Sequence, residues 1–502
     1  MILSTGNILL VGSILLFVGI VAGKVSGRFG TPMLLLFLVV GMLFGTDGVG
    51  IEFDSFEVTQ FVGMVALSVI LFSGGMDTSL GDIRPVIKEG VILATLGVLL
   101  TALLTGCFIY LVGGWFGLNV PFPVALLIAA VMSSTDSASV FAILRSKKQG
   151  LSQNIRPLLE LESGSNDPMA YILTVMLIQV ATGTEEGSAW QVVLTFLKQM
   201  GIGALSGYLL AELAARIINR INIGNKSLYS TLLLSLVFFT YSFTDLIGGN
   251  GYLAVYIAGI VMGNKKLSYK RTLSTFFDGV TWLFQIVMFL MLGLLVNPHE
   301  LIDIAPVGLL IGVFMIAVAR PLAVIISLLP SGKKFTRKAK AYISWVGLRG
   351  AAPILFATYP KLAGLDPDNT IFNIVFFITI ISLLVQGTTV SSMAEVLGVS
   401  ARSPEQGFDI DLPDEIKADL TEVEVTEDNN EGKTLKEITL PEKTLIMMIR
   451  REGRYIIPNG STVLKKGDLL LLISEDAQEH STEIQRKGKF ALWRHIKDFI
   501  KS

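Results

Sequence analysis

Charge is what this 502-residue sequence has least of: Asp, Glu, Lys and Arg together make up 16% of it. An ordinary soluble domain carries roughly 25%, so a soluble enzyme is excluded as the starting class. Cysteine is scarcer still. Cys107 stands alone, which excludes an intrachain disulfide framework or a thiolate metal cluster and leaves it as a small apolar packing residue. No Gly-rich dinucleotide fingerprint occurs, nor any run of the Thr-Val-Gly-Tyr-Gly kind that lines a potassium channel filter. The first apolar stretch, Asn7 to Gly23, has no basic run before it and no small-residue cleavage site after it. It reads as a retained helix rather than a removable signal peptide.

What fills the chain is apolar: 52% of residues are hydrophobic and the mean hydropathy is +0.64. A net charge of −1 conceals a division, since residues 1–398 are apolar with short charged interruptions and residues 400–502 resemble an ordinary soluble sequence. A bilayer core of about 30 Å takes roughly 20 apolar residues per helix. Segments of that kind fall near 7–23, 31–45, 58–75, 89–112, 121–144, 157–181, 190–215, 228–244, 249–263, 279–296, 303–330, 341–360 and 370–397. Lys and Arg collect on the cytoplasmic side of short loops. The loops after the odd-numbered spans hold twenty of them, among them Arg145, Lys147, Lys148, Lys265 and Lys270, whereas those after the even-numbered spans hold Lys361 alone. That split predicts an outside N-terminus, a cytoplasmic C-terminus and about thirteen crossings.

Ionisable groups at membrane depth are costly and mark function by default. With a rise of about 1.5 Å per residue, Asp136, Glu162, Asp167, Arg320 and Arg349 fall in one slab roughly 8 to 15 Å from the cytoplasmic helix ends. Three carboxylates face two guanidiniums, and the acid left over is what a cation carrier needs. The fifth span reads Ser133-Ser134-Thr135-Asp136-Ser137-Ala138-Ser139 and the twelfth Gly347-Leu348-Arg349-Gly350-Ala351-Ala352-Pro353. Such polar, Gly- and Pro-interrupted stretches suit helices that break to turn hydroxyls and carbonyls toward an ion. Seven spans separate the two, so they run in opposite directions, as in an inverted repeat with its site at the crossing. In the sixth span, Glu162-Ser163-Gly164-Ser165-Asn166-Asp167, Ser163 and Asp167 share a helix face. Close packing is the plainer account of the small residues, and a structural ion pair that of Glu162 with Arg349. Arg320 serves charge balance or packing.

On Thr135-Asp136, Glu162 through Asp167 and Gly347 through Gly350, the membrane part resembles the monovalent cation:proton antiporter-1 family, the NhaP-type sodium or potassium/proton exchangers. The resemblance implies that Asp167 alternately binds a proton and a monovalent cation. It implies that Asp136, Thr135, Ser163 and Asn166 join in the site, that Glu162 pairs with Arg349, and that the protein is a homodimer. Asn166 stands where electrogenic relatives carry a second aspartate, which implies one proton per cation. Ser73 stands where many members carry an acid. Withdrawal from water holds a proton more tightly on a carboxylate, so proton and hard cation compete for the same oxygens.

Beyond residue 400, an acidic, turn-rich linker or short helices are expected to about residue 430. Short apolar runs follow at Thr444–Arg450, Tyr455–Pro458, Ser461–Leu464 and Leu469–Ser474, broken by Glu452-Gly453, Pro458-Asn459-Gly460 and Lys466-Gly467-Asp468, the spacing of a small β-rich domain. This part resembles the C-terminal lobe of RCK or TrkA-C domains, which implies a regulatory role and, as in some such lobes, a nucleotide or cyclic dinucleotide ligand. The tail from Arg486 to Ser502 sets Phe490, Trp493, Ile496, Phe499 and Ile500 at helical spacing among basic residues, a membrane-surface or intramolecular docking pattern.

The expected fold is therefore an all-α polytopic membrane protein of about 13 transmembrane helices with inverted repeats and two crossed broken helices, with a small α+β cytoplasmic domain. Exchange domain, lobe and tail fall at 1–398, 399–480 and 481–502. The expected activity is exchange of K⁺, or Na⁺, for H⁺ across a bacterial inner membrane, without enzymatic chemistry and without nucleic acid. A ligand-gated cation channel and, more remotely, an intramembrane aspartyl protease built on Asp136 and Asp167 are the competing readings.

Overall fold

The computed structural model describes residues 7–29, 32–116, 118, 120–183, 189–332, 334–402, 420–425, 434–437, 444–451 and 454–474. Its contacts divide the chain into two units, Met1–Ser403 and Pro404–Ser502.

The first unit is helical. In chain order it comprises α1 (Ile8–Phe29), α2 (Met33–Phe44), α3 (Phe56–Asp77), α4 (Leu80–Trp115), α5 (Phe122–Val131), α6 (Ser137–Ser146), α7 (Ile155–Thr182) and α8 (Ala189–Arg220). Then come α9 (Ser227–Leu246), α10 (Gly251–Gly263), α11 (Lys270–Leu294), α12 (Pro298–Ser327), α13 (Arg337–Trp345), α14 (Ala351–Phe356), α15 (Thr358–Leu362) and α16 (Thr370–Val396). Among the described residues, seven helices are long and apolar enough to cross a membrane by length and composition. Helix lies at each of the expected span positions. The fifth is two pieces, α5 and α6, and the twelfth is α13 followed by α14 and α15.

Small residues set the closest crossings. A Cβ on Gly75 of α3 would lie 2.4 Å from the Tyr256 carbonyl oxygen of α10, and one on Gly41 of α2 would lie 2.4 Å from that of Leu290 in α11. Only glycine lets those backbones approach so nearly. Three helices carry a π-turn: Leu93–Gly97 in α4, Met315–Ala319 in α12 and Leu383–Gly387 in α16. A two-stranded antiparallel sheet, β1 (Gln149–Leu151) with β2 (Ser400–Arg402), completes the unit.

The second unit holds a four-stranded sheet of β3 (Leu420–Glu424), β4 (Thr444–Arg451), β5 (Arg454–Ile456) and β6 (Leu469–Ser474), in the order β3-β6-β4-β5 with antiparallel neighbours. Two expectations are corrected here. The segment read as linker supplies β2 and β3: β2 pairs with β1, and the alternating Glu422-Val423-Glu424-Val425 pattern of the β3 stretch finds a partner in β6. The run Ser461–Leu464 is no strand; Val463 makes a single bridge to Thr434. Ile446, Ile449, Leu464, Leu470 and Leu472 form the small core. Beneath it the fully buried Asp468 takes both Nε and Nη2 of Arg451, each at 2.7 Å. The tail from Arg486 lies outside the described residues.

Candidate cation site

The site is made where the two interruptions touch. Helix α5 ends at Val131 and α6 starts at Ser137, so residues 132–136 leave helical hydrogen bonding. Serine, threonine and aspartate compete with a helix for their own backbone, which is why the chain opens here. Asp136 then caps α6: its carboxylate accepts from the Ser139 N–H at 3.1 Å and from the Ser139 hydroxyl. Helix α13 stops at Trp345, and residues 346–350 leave the helix before α14 begins at Ala351. The Asp136 N–H donates to the Leu348 carbonyl at 2.8 Å, and Arg349 Nη1 donates to the Ser134 carbonyl. A Cβ at Gly350 would fall 2.5 Å from Asp136 Oδ2, so any larger residue there would press on that carboxylate.

Helix α7 braces the first interruption. Ser163 Oγ donates to the Thr135 carbonyl at 2.8 Å and accepts from the Ser137 N–H at 3.0 Å, and Asn166 Nδ2 donates to Thr135 Oγ1 at 2.7 Å. One helix face thus satisfies groups that the break leaves without helical partners. Pro168 cannot donate to the carbonyl one turn back, and its own carbonyl accepts from Asn250 Nδ2 at 2.9 Å. Asp167, half-buried, shares with Ser134, Thr135 and Asp136 a cleft enclosing about 430 Å³ of empty space, open solvent included. Among the described residues no basic side chain stands within ion-pairing distance of Asp167 or Asp136.

The expected Glu162–Arg349 pair is corrected. Glu162 Oε1 lies 2.6 Å from Arg320 Nη2, and both side chains are almost wholly buried. Arg349, equally buried, is spent on the Ser134 carbonyl instead. The reason is the second interruption: its glycine, Gly347, would bring a Cβ to 2.9 Å from Arg320 Nε, so its missing side chain gives Arg320 room to reach Glu162. Arg320 follows the π-turn of α12, a device that re-aims the side chains after it.

Three participants were not found from sequence. Gln285 of α11 lines the cleft with an amide, but its neighbours are apolar and a lone Gln in a span gives no motif. Ser382 of α16 accepts the Arg349 N–H at 3.0 Å and donates to Gln386 Oε1 at 2.7 Å. Gln386 Nε2 in turn donates to the Trp345 carbonyl, left open by the end of α13, at 2.6 Å. The four-residue spacing of Ser382 and Gln386 was the available signal. Ser73 is buried in α3.

Comparison with known proteins gives the family and the fold. Residues 12–396 match the family described as sodium/hydrogen exchanger, transmembrane, and residues 420–483 match the TrkA-C domain. The chain is 37% identical over 479 residues to the K(+)/H(+) antiporter NhaP2 of Shewanella sp. (strain MR-4), covering 94% of this chain and 82% of that one. It is 26% identical over 382 residues to the Na(+)/H(+) antiporter ApNhaP of Aphanothece halophytica, covering 73% and 70%. Among solved structures it resembles the sodium proton antiporter MjNhaP1 of Methanocaldococcus jannaschii with a TM-score of 0.64 at 23% identity, covering 75% of this chain and 97% of that one. At that identity the likeness speaks for the fold alone.

Proposed function

The chain belongs to the sodium/hydrogen exchanger family, and on that premise we propose that it exchanges K⁺, in preference to Na⁺, for H⁺ across a bacterial inner membrane. The observation that carries the proposal is Asp167 in its cleft: an acid with no basic partner among the described residues, beside Asp136, Ser134 and Thr135, where two broken helices meet. Oxygen donors suit alkali cations better than softer metals. The preference for K⁺ rests on the relatives named K(+)/H(+) antiporters.

The exchange follows from charge. Glu162 neutralises Arg320. Arg349 adds one positive charge against Asp136 and Asp167, so one negative charge remains. A single proton or a single monovalent cation balances it, and the two exclude each other. Ser163, Thr135 and Asn166 hold the interruption open beside the two acids, and Asn166 adds no second titrating acid. Exchange is therefore one for one and electroneutral.

About thirteen spans in inverted repeats, an outside N-terminus and a cytoplasmic C-terminus fit the segregation of Lys and Arg in the loops. The membrane part, 1–398, carries the exchange. The lobe at 399–480 regulates it, with a nucleotide or cyclic dinucleotide as candidate effector, and the protein works as a homodimer with the basic tail, 481–502, beyond the lobe. The decisive test is K⁺-induced proton movement in everted vesicles, compared for wild type and Asp167→Asn. Proton release that K⁺ triggers and the substitution abolishes is the expected result; exchange persisting in the variant removes Asp167 as the carrier. Cation flux driven by potential without proton movement would make the protein a channel.

A further inference from the structure

We infer that the pairing of β1 with β2 is the joint through which the C-terminal lobe acts on the cation site. This rests on the exchanger with a regulatory lobe proposed above, and assigns the route.

Strand β1 lies in the short connection between α6, capped by Asp136, and α7, which bears Asp167. Strand β2 follows Val399 and ends at Arg402, one residue before the first unit closes at Ser403. The end of the first unit is thus stitched to the loop that links the two site helices.

The stitching is dense. Gln149 pairs with Arg402, Gly150 with Ala401 and Leu151 with Ser400. Beyond the strands, the Ser152 N–H and hydroxyl both donate to the Val399 carbonyl, at 3.0 and 3.1 Å. Gln149 fastens three groups at once: its Nε2 donates to Ser400 Oγ at 2.9 Å and the Ser391 carbonyl at 3.3 Å, and its Oε1 accepts from the Ser391 hydroxyl at 2.7 Å. Val399 is buried in one cluster with Val140, Phe141 and Leu144 of α6, Ile155 and Leu158 of α7, and Val390 and Ala394 of α16. A displacement of β2 therefore reaches both site helices through packed groups, and α6, about 15 Å long at 1.5 Å per residue, carries it to Asp136.

Lys148, Gln153 and Asn154 flank β1 with φ of 51°, 58° and 55°, left-handed values that residues other than glycine seldom adopt.

The test is a double-mutant cycle on the full chain in proteoliposomes, reading the rate of K⁺-driven proton exchange across pH. Asp468→Asn perturbs the lobe by removing the buried charge that holds Arg451, with the perturbation checked by faster proteolysis beyond residue 403. Ala401→Pro breaks the joint. Continuing the register from the Ser152–Val399 bond makes Gly150 and Ala401 a hydrogen-bonded pair, and proline has no N–H to give. Gln149→Ala with Ser391→Ala is the milder second disruption, should proline prevent folding. The expected result is that Asp468→Asn changes the exchange rate at least threefold in the wild-type background and has no effect once the joint is broken. An equal fold-change in both backgrounds, or no change in exchange despite a perturbed lobe, overturns the assignment. Absence of K⁺-driven proton movement in the wild type would instead refute the exchanger reading itself.

Discussion

Glu162 and Arg320 show how a single side chain decides the charge state of the site. Both are buried, and their contact at 2.6 Å keeps either from standing as an isolated charge where water cannot reach it. Removing one partner of such a pair costs about 3–5 kcal/mol, because the other is left uncompensated. Arg320→Ala is therefore expected to lower the melting temperature of the detergent-solubilised protein sharply, with Glu162→Gln in the same chain recovering much of the loss. Additive losses would show that the two side chains do not act as a pair. Glu162 was legible as a buried acid in need of a cation; which cation it takes was not. Arg349 lies within the same motif set, but its side chain turns to the Ser134 carbonyl, a choice made by the path of the backbone at Gly347 and Gly350.

At the scale of elements, the interruptions in two spans frame the proposed site, and their ends are satisfied by neighbours: Ser163 and Asn166 for the first, Ser382 and Gln386 for the second. The N-terminus of α16 is held differently. Asp366 accepts from the Ile371 and Phe372 N–H groups at 3.0 Å each. Burial pushes its carboxyl above the ordinary value of 3.8, and those N–H groups pull against the shift without reversing it. A carboxyl with a raised pKa in the folded state binds its proton more tightly there than in the unfolded chain, so its contribution to stability falls as pH rises. The advantage of wild type over Asp366→Asn in thermal stability should thus shrink from pH 4 upward, through the raised pKa. A constant difference across that range would show that Asp366 does not titrate in the folded protein as its burial requires.

For the whole molecule, the proposed one-for-one exchange would move no net charge. The rate of K⁺/H⁺ exchange in proteoliposomes should be unchanged when a potential is imposed with an ionophore that does not carry the exchanged cation. A rate that follows the potential would require a second titrating group. The sequence by itself determined the polytopic helical class, the positions of the helices, the two polar interruptions and the acids at mid-depth. Hydropathy over some 20 residues and the cost of charge in lipid are local properties of the chain, and so they survive in one dimension. It also determined the strands near 444–451, 454–456 and 469–474, through short apolar runs bounded by turns. Only the tertiary structure decided that Arg320 meets Glu162, that Gln285 enters the cleft, that Ser382 and Gln386 close the second break, and that residues 400–402 pair with 149–151. Each of these joins residues distant along the chain, set by helix packing and by a bend or glycine that turns one side chain aside, and no local pattern records such a meeting.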